Sequence, residues 1–144
     1  MTCGSFVGRL VPGGLVGNLG WPSPFTRVGP GLCGTPKPDF SEHGGNASTT
    51  MQFAPGLGVY GLNEAGLWED QCGTSFAAPI LAREAAFAIQ LLQKVCISGA
   101  RPYAVTVKAF LALTATTPQF DGLIKNLADR ALGRGQAGVA RLAN

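Results

Sequence analysis

The chain has 144 residues, of which 46% are hydrophobic and only 13% charged, and its formal net charge of +3 is spread without a Lys/Arg cluster. That length is one domain's worth of material, and a usual soluble domain carries roughly twice this share of charged residues. The scattered positive charge leaves no footprint for nucleic acid or an anionic membrane surface.

No uninterrupted apolar run reaches the ~18 residues of a membrane span, and the N-terminus lacks a charged region followed by an apolar core and cleavage site. The sequence reads as a soluble, cytoplasmic, unprocessed chain whose scarce polar residues anticipate partner surface. Four cysteines, Cys3, Cys33, Cys72 and Cys96, form no Cys-x-x-Cys pair and meet no histidine cluster. Buried reduced thiols are expected, with no metal site and no cofactor. Cys72 lies close to a serine discussed below, yet no partner for thiol chemistry is visible beside it.

Residues 1–7 are a short run of apolar and small residues, consistent with a buried strand of a parallel sheet. Residues 8–46 are punctuated by Pro12, Pro22, Pro24, Pro30, Pro36, Pro38 and many glycines, which forbid a long helix and read as loop. A loop of that length is uncommon in a compact domain and points to function or to contact with other parts. Residues 58–62 and 67–72, separated by Asn63-Glu64-Ala65-Gly66, predict a hairpin.

A long helix is predicted over residues 75–95, with Phe76, Ile80, Leu81, Ala85, Ala88, Ile89 and Leu92 inward. Its wet face would hold Arg83, Glu84, Gln90, Gln93 and Lys94, and the helix as a whole would be mostly buried. Pro79 falls within about a turn of the start, where a missing N–H does least harm. A second amphipathic helix is predicted over 103–116, then a weaker helical or irregular stretch over 120–131. No internal repeat or low-complexity segment is visible.

The hairpin delivers the chain to Gly73-Thr74-Ser75-Phe76-Ala77-Ala78-Pro79, at the junction of a turn and a helix N-terminus. The first four N–H groups of a helix lack intrahelical partners, and the peptide dipoles place partial positive charge there. An oxygen that becomes negative beside Ser75 would be stabilised. Gly73 would let a substrate backbone approach without meeting a side chain. Thr74 and Ser75 are equally good N-caps, and a Gly-Thr-Ser before a helix is by itself more often a cap than a nucleophile.

The longer string resembles the nucleophile motif of the subtilisin-like serine peptidases, with seven consecutive matching positions from Gly73 to Pro79. A second stretch is similar to the family's segment upstream of its serine: Pro24-Phe25-Thr26-Arg27-Val28-Gly29-Pro30-Gly31, then Lys37-Pro38-Asp39 and Gly44-Gly45-Asn46. Gly133-Arg134-Gly135-Gln136 with Val139 and Leu142 resembles its closing segment. Residues 1–7 resemble a central strand of the family, so the whole of 1–144 is read as one domain portion, the C-terminal half of a catalytic domain.

This resemblance implies an α/β fold, a three-layer sandwich with a mostly parallel sheet, here incomplete. It implies Ser75 as catalytic nucleophile, the Ser75 backbone N–H as one oxyanion donor, and Gly73 and Thr74 shaping the substrate surface. The family's acid and histidine motifs, which precede the serine in the order Asp, His, Ser, are absent, as is its oxyanion asparagine, because no asparagine precedes Asn18.

Asp39 takes a structural place in the family's pattern. His43, the chain's one histidine, lacks the flanking motif of a catalytic base. No acidic cluster offers a calcium site. The resemblance therefore implies a serine endopeptidase fragment acting on protein or peptide once joined by a missing N-terminal half, and inert alone. The alternative is a non-catalytic binding module on the same frame. An unrelated α/β domain with a capped helix would need two motif coincidences.

Overall fold

The computed structural model describes residues 1–50, 55–95, 101–117 and 130–139. Strand β1 (Cys3–Phe6) pairs in parallel with β2 (Phe40–His43), Cys3 opposite Phe40 and Phe6 opposite His43. The strand expected near the N-terminus is therefore present and lies in a parallel pair.

The segment expected to be loop throughout 8–46 contains β2 and a single 3-10 turn, Leu32–Gly34. Its first part is bound to the free edge of β1. Val7 N–H donates to Trp21 O at 2.9 Å, Gly20 N–H to Val7 O at 2.8 Å and Ser23 N–H to Ser5 O at 2.9 Å. Beneath them, the buried Ser5 and Ser23 hydroxyls share a hydrogen bond of 2.7 Å, Ser23 Oγ donates to Gly45 O, and Thr26 Oγ1 accepts the Ser5 N–H at 2.9 Å. Most buried hydroxyls are paired in folded proteins, and here the pairing fastens a proline- and glycine-rich segment to a strand.

The other edge of β2 meets the closing segment, where Ser41 N–H donates to Gly135 O at 3.0 Å. Gln136 in turn exchanges both backbone hydrogen bonds with Thr116, at 2.9 and 3.0 Å.

The predicted hairpin is β3 (Val59–Leu62) against β4 (Trp68–Gln71), antiparallel, with Leu62 opposite Trp68. Asn63 closes the turn, its Oδ1 accepting the Ala65 and Leu67 N–H groups at 3.0 Å each, as asparagine does in turns.

Helix α1 (Thr74–Val95) and helix α2 (Ala104–Thr114) fall where they were expected. Ala77, Leu81, Glu84 and Ala88 are the buried residues of α1, a stripe at helical spacing. The stripe rests on β1 and β2, and α2 packs alongside. The core joins Phe40, Leu81, Ala88, Val107, Leu111, Ala137 and Val139.

Two expectations fail on α1. Glu84, assigned to the wet face, is 3% exposed, and a helix expected to be mostly buried leaves Phe87 and Ile89 more than a third exposed and Val95 78% exposed. The cause is one-sided packing: strands cover one face and α2 part of another. Pro79 lies in the second turn, where its missing N–H leaves Ser75 O without the usual intrahelical donor.

By length and a mean hydropathy of 1.3, α1 is also long and apolar enough to cross a membrane. The test of an uninterrupted run overlooked it because Arg83 and Glu84 break the run. Arg83 and Glu84 form an ion pair at 3.0 Å within it, and its buried stripe rests on β1 and β2.

The described architecture is α/β: two two-stranded sheets, one parallel and one antiparallel, with two helices. The helical stretch expected over 120–131 lies almost wholly outside the described residues, as do Cys96 and Leu142.

Candidate active site

Four glycines bring β2 to the start of α1. The Gly44 carbonyl accepts the Gly73 N–H at 2.9 Å, and the Gly73 carbonyl accepts the Phe76 N–H at 3.1 Å, closing the first turn. Gly73 has φ +151°, a conformation open essentially to glycine alone. A Cβ on Gly44 would collide with the Ser5 hydroxyl and the Gly73 carbonyl, and one on Gly45 or Gly58 would collide with the segment leading to Gly73. The approach of the two loops therefore requires bare backbone on both sides.

Ser75 is exposed at the helix tip. Among the described residues neither Thr74 nor Ser75 uses its side chain in a hydrogen bond, and the Ser75 N–H has no backbone acceptor. The capping role that sequence alone left open is thus not taken up by either hydroxyl. What stands at the turn is a free hydroxyl beside an unpaired N–H, at the positive end of a 22-residue helix.

His43 is not placed to serve that hydroxyl as a base. Its Nδ1 accepts the Gly8 N–H at 3.0 Å, and its ring lies 6.3 Å from that of Phe6. The same nitrogen lies 3.4 Å from Phe6 O, so Nδ1 is engaged by backbone atoms and, among the described residues, no carboxylate orients the ring as it does in a serine hydrolase.

Asp39 is the centre of an ion cluster. One carboxylate oxygen accepts from Lys37 Nζ at 2.8 Å and from both the N–H and the hydroxyl of Thr2, and the other accepts from Lys108 Nζ. Burial alone would raise this carboxyl, but Lys108, Lys37 and Thr2 outweigh it and hold it well below the usual carboxylate range. Its partners give it a structural role, and no contact links it to His43.

Asn46 is likewise committed, with Nδ2 donating to Val16 O at 2.8 Å and Oδ1 accepting the Ala47 N–H at 2.9 Å.

Sequence reasoning missed the buried pair Glu42 and Glu84. Glu42 is 0% exposed, accepts the Ala137 N–H at 3.2 Å through Oε1 and leaves Oε2 unpartnered. Burial pushes its carboxyl up to about 7, with the neighbouring Glu84 charge adding to the rise and hydrogen bonds from Gln136 and Ala137 opposing it. The helical spacing of Ala77, Leu81, Glu84 and Ala88 could have shown Glu84 to be inward; nothing in the sequence marked Glu42.

Among the cysteines, burial raises Cys72, and burial with the Glu42 charge raises Cys3 to about 11. Both remain thiols at neutral pH. Against the expectation of burial, Cys33 is exposed and Cys3 and Cys72 are only half-buried. Among the described residues no group of three or more His, Cys, Asp or Glu side chains could hold a metal ion.

A sequence profile of the subtilase family, peptidase S8, matches residues 18–136. The chain belongs to the subtilase family. No curated protein and no solved structure matches it. At the level of the family its function is that of a serine peptidase, and the matched region takes in the Lys37-Pro38-Asp39 segment, the Gly44-Gly45 turn and Ser75. Within this subtilase, then, the structure brings together Gly44, Gly45, Gly73 and Ser75, and keeps His43 and Asp39 in other roles.

Proposed function

We propose that this subtilase chain supplies the nucleophile portion of an endopeptidase whose acid and base come from a segment beyond residues 1–144. Ser75 Oγ attacks the scissile carbonyl carbon while a histidine of the completing segment takes its proton. The Ser75 N–H donates to the oxyanion, and that histidine later passes the proton to the leaving amine. Gly73 and Thr74 border the substrate backbone. The completed domain is the family's three-layer sandwich with a mostly parallel sheet, of which this chain forms the C-terminal portion.

The observation that carries the reading is the exposed, unbonded Ser75 hydroxyl beside an unpaired N–H at the helix tip. Exposed apolar side chains on α1, with Phe87 and Ile89 on either flank of the buried stripe and Val95 beyond its end, support a completing segment that would cover them. Alone, the chain has no base and turns over no peptide. Incubation with unfolded casein and a fluorophosphonate tests this: neither hydrolysis nor stoichiometric Ser75 labelling is expected without a partner, and labelling of the lone chain would refute it.

A second reading, a non-catalytic binding module, draws on the hairpin, where Tyr60, Leu62 and Trp68 are each more than half exposed and share one face, because Tyr60 and Leu62 alternate and Trp68 pairs with Leu62. It predicts a bound partner with Ser75 inert even in the completed assembly.

A further inference from the structure

Three cations converge on a cleft that shares no lining residue with the Ser75 turn. Among the described residues the cleft, of about 480 Å³, is lined by Thr35, Pro36, Pro38 and Gly133 together with Lys37, Lys108, Arg134 and one acid, Asp39. Lys37 comes from the loop before β2, Lys108 from α2 and Arg134 from the closing segment, so the fold gathers them from three distant parts of the chain.

Asp39 neutralises one positive charge and is already saturated by Lys37, Lys108 and Thr2. Lys37 and Lys108 each retain ammonium hydrogens beyond the one given to Asp39, and their side chains are 35% and 44% exposed. Arg134 is exposed and enters no ion pair among the described residues. The wall thus holds an excess of positive charge with unused donors, which a phosphoryl dianion matches in charge and in hydrogen-bond type. A volume of that size is the scale of a small-molecule site and exceeds a bare phosphate, and the rings of Pro36 and Pro38 offer apolar surface for the remainder.

We propose that this cleft binds a phosphorylated small molecule, its phosphoryl group held by Lys37, Lys108 and Arg134 and its uncharged body against the two prolines. Calorimetric titration of the 144-residue chain with ribose 5-phosphate, inorganic phosphate and ribose at matched ionic strength tests the proposal.

The expected result is saturable binding of ribose 5-phosphate, weaker binding of phosphate and none of ribose. Arg134→Gln should lower the affinity about tenfold or more without moving the melting temperature, since the exposed Arg134 side chain makes no hydrogen bond or ion pair among the described residues, and Lys108→Arg should retain binding. Three results would overturn it: no saturable binding of ribose 5-phosphate, phosphate binding as tightly as the sugar phosphate, or an affinity unchanged by Arg134→Gln.

Discussion

The Gly44 carbonyl and the Gly73 amide are joined by a 2.9 Å hydrogen bond, and this bond decides where α1 begins. It fixes the end of β2 to the residue before Thr74, so the helix tip and Ser75 are presented at a set height over the sheet. Gly73→Ala would put a Cβ on backbone at φ +151° and should destabilise the fold by about 1–3 kcal/mol. Gly61 has open space around its Cβ position and no positive φ, so Gly61→Ala is the control, expected to stay within about 0.5 kcal/mol. Urea unfolding of the two variants separates strain from a general cost of losing glycine.

Glu42 predicts a loss of stability as the solution becomes less acidic. Its carboxyl moves from an ordinary value of 4.5 to about 7 in the folded chain. Around it stand Glu84 and Arg83 of α1, Cys3 of β1, and Gln136 and Ala137 of the closing segment. Below 4.5 both folded and unfolded chains hold the proton and Glu42 contributes nothing. Between 4.5 and 7 the unfolded chain releases it while the folded chain keeps it, so stability falls by up to about 3 kcal/mol across this window and is level above it. Denaturant unfolding at a series of pH values should show that decline, and Glu42→Gln should remove it.

Asp39 predicts the opposite slope at lower pH. Its folded value lies below the ordinary 3.8, so its contribution is present above that value and is lost as the pH falls beneath it. Asp39→Asn leaves Lys37 and Lys108 facing each other without a counter-charge. With both lysines partly exposed and screened by solvent, the cost near neutrality should be about 1–3 kcal/mol. The gap between wild type and variant, followed by thermal unfolding, should shrink steadily in acid.

Particular residues show what the sequence could and could not disclose. The β3–β4 hairpin and α1 were legible because Asn63 to Gly66 carry turn chemistry and Thr74 to Val95 carry a long apolar period. Strand β2 was not, because Phe40, Ser41 and Glu42 are all buried, so no alternation of polar and apolar residues marks it amid prolines and glycines. Glu84 was misplaced because composition was allowed to outrank spacing. The free state of the Ser75 hydroxyl was beyond the sequence altogether: Thr74 and Ser75 suit a cap and a nucleophile equally well, and which role is taken depends on the Gly44–Gly73 bond and the backbone of Gly73.

Fluorophosphonate labelling of Ser75, with and without an added subtilase segment bearing the family's Asp and His motifs, tests the central claim most directly. Ser75→Ala serves as control and should shift stability by no more than about 0.5 kcal/mol, because the hydroxyl has no hydrogen bond among the described residues. The account predicts no labelling of the chain alone, labelling at Ser75 when the two portions are joined, and its loss in Ser75→Ala together with casein hydrolysis. Stoichiometric labelling of the lone chain, or hydrolysis by the joined portions that survives Ser75→Ala, would contradict it.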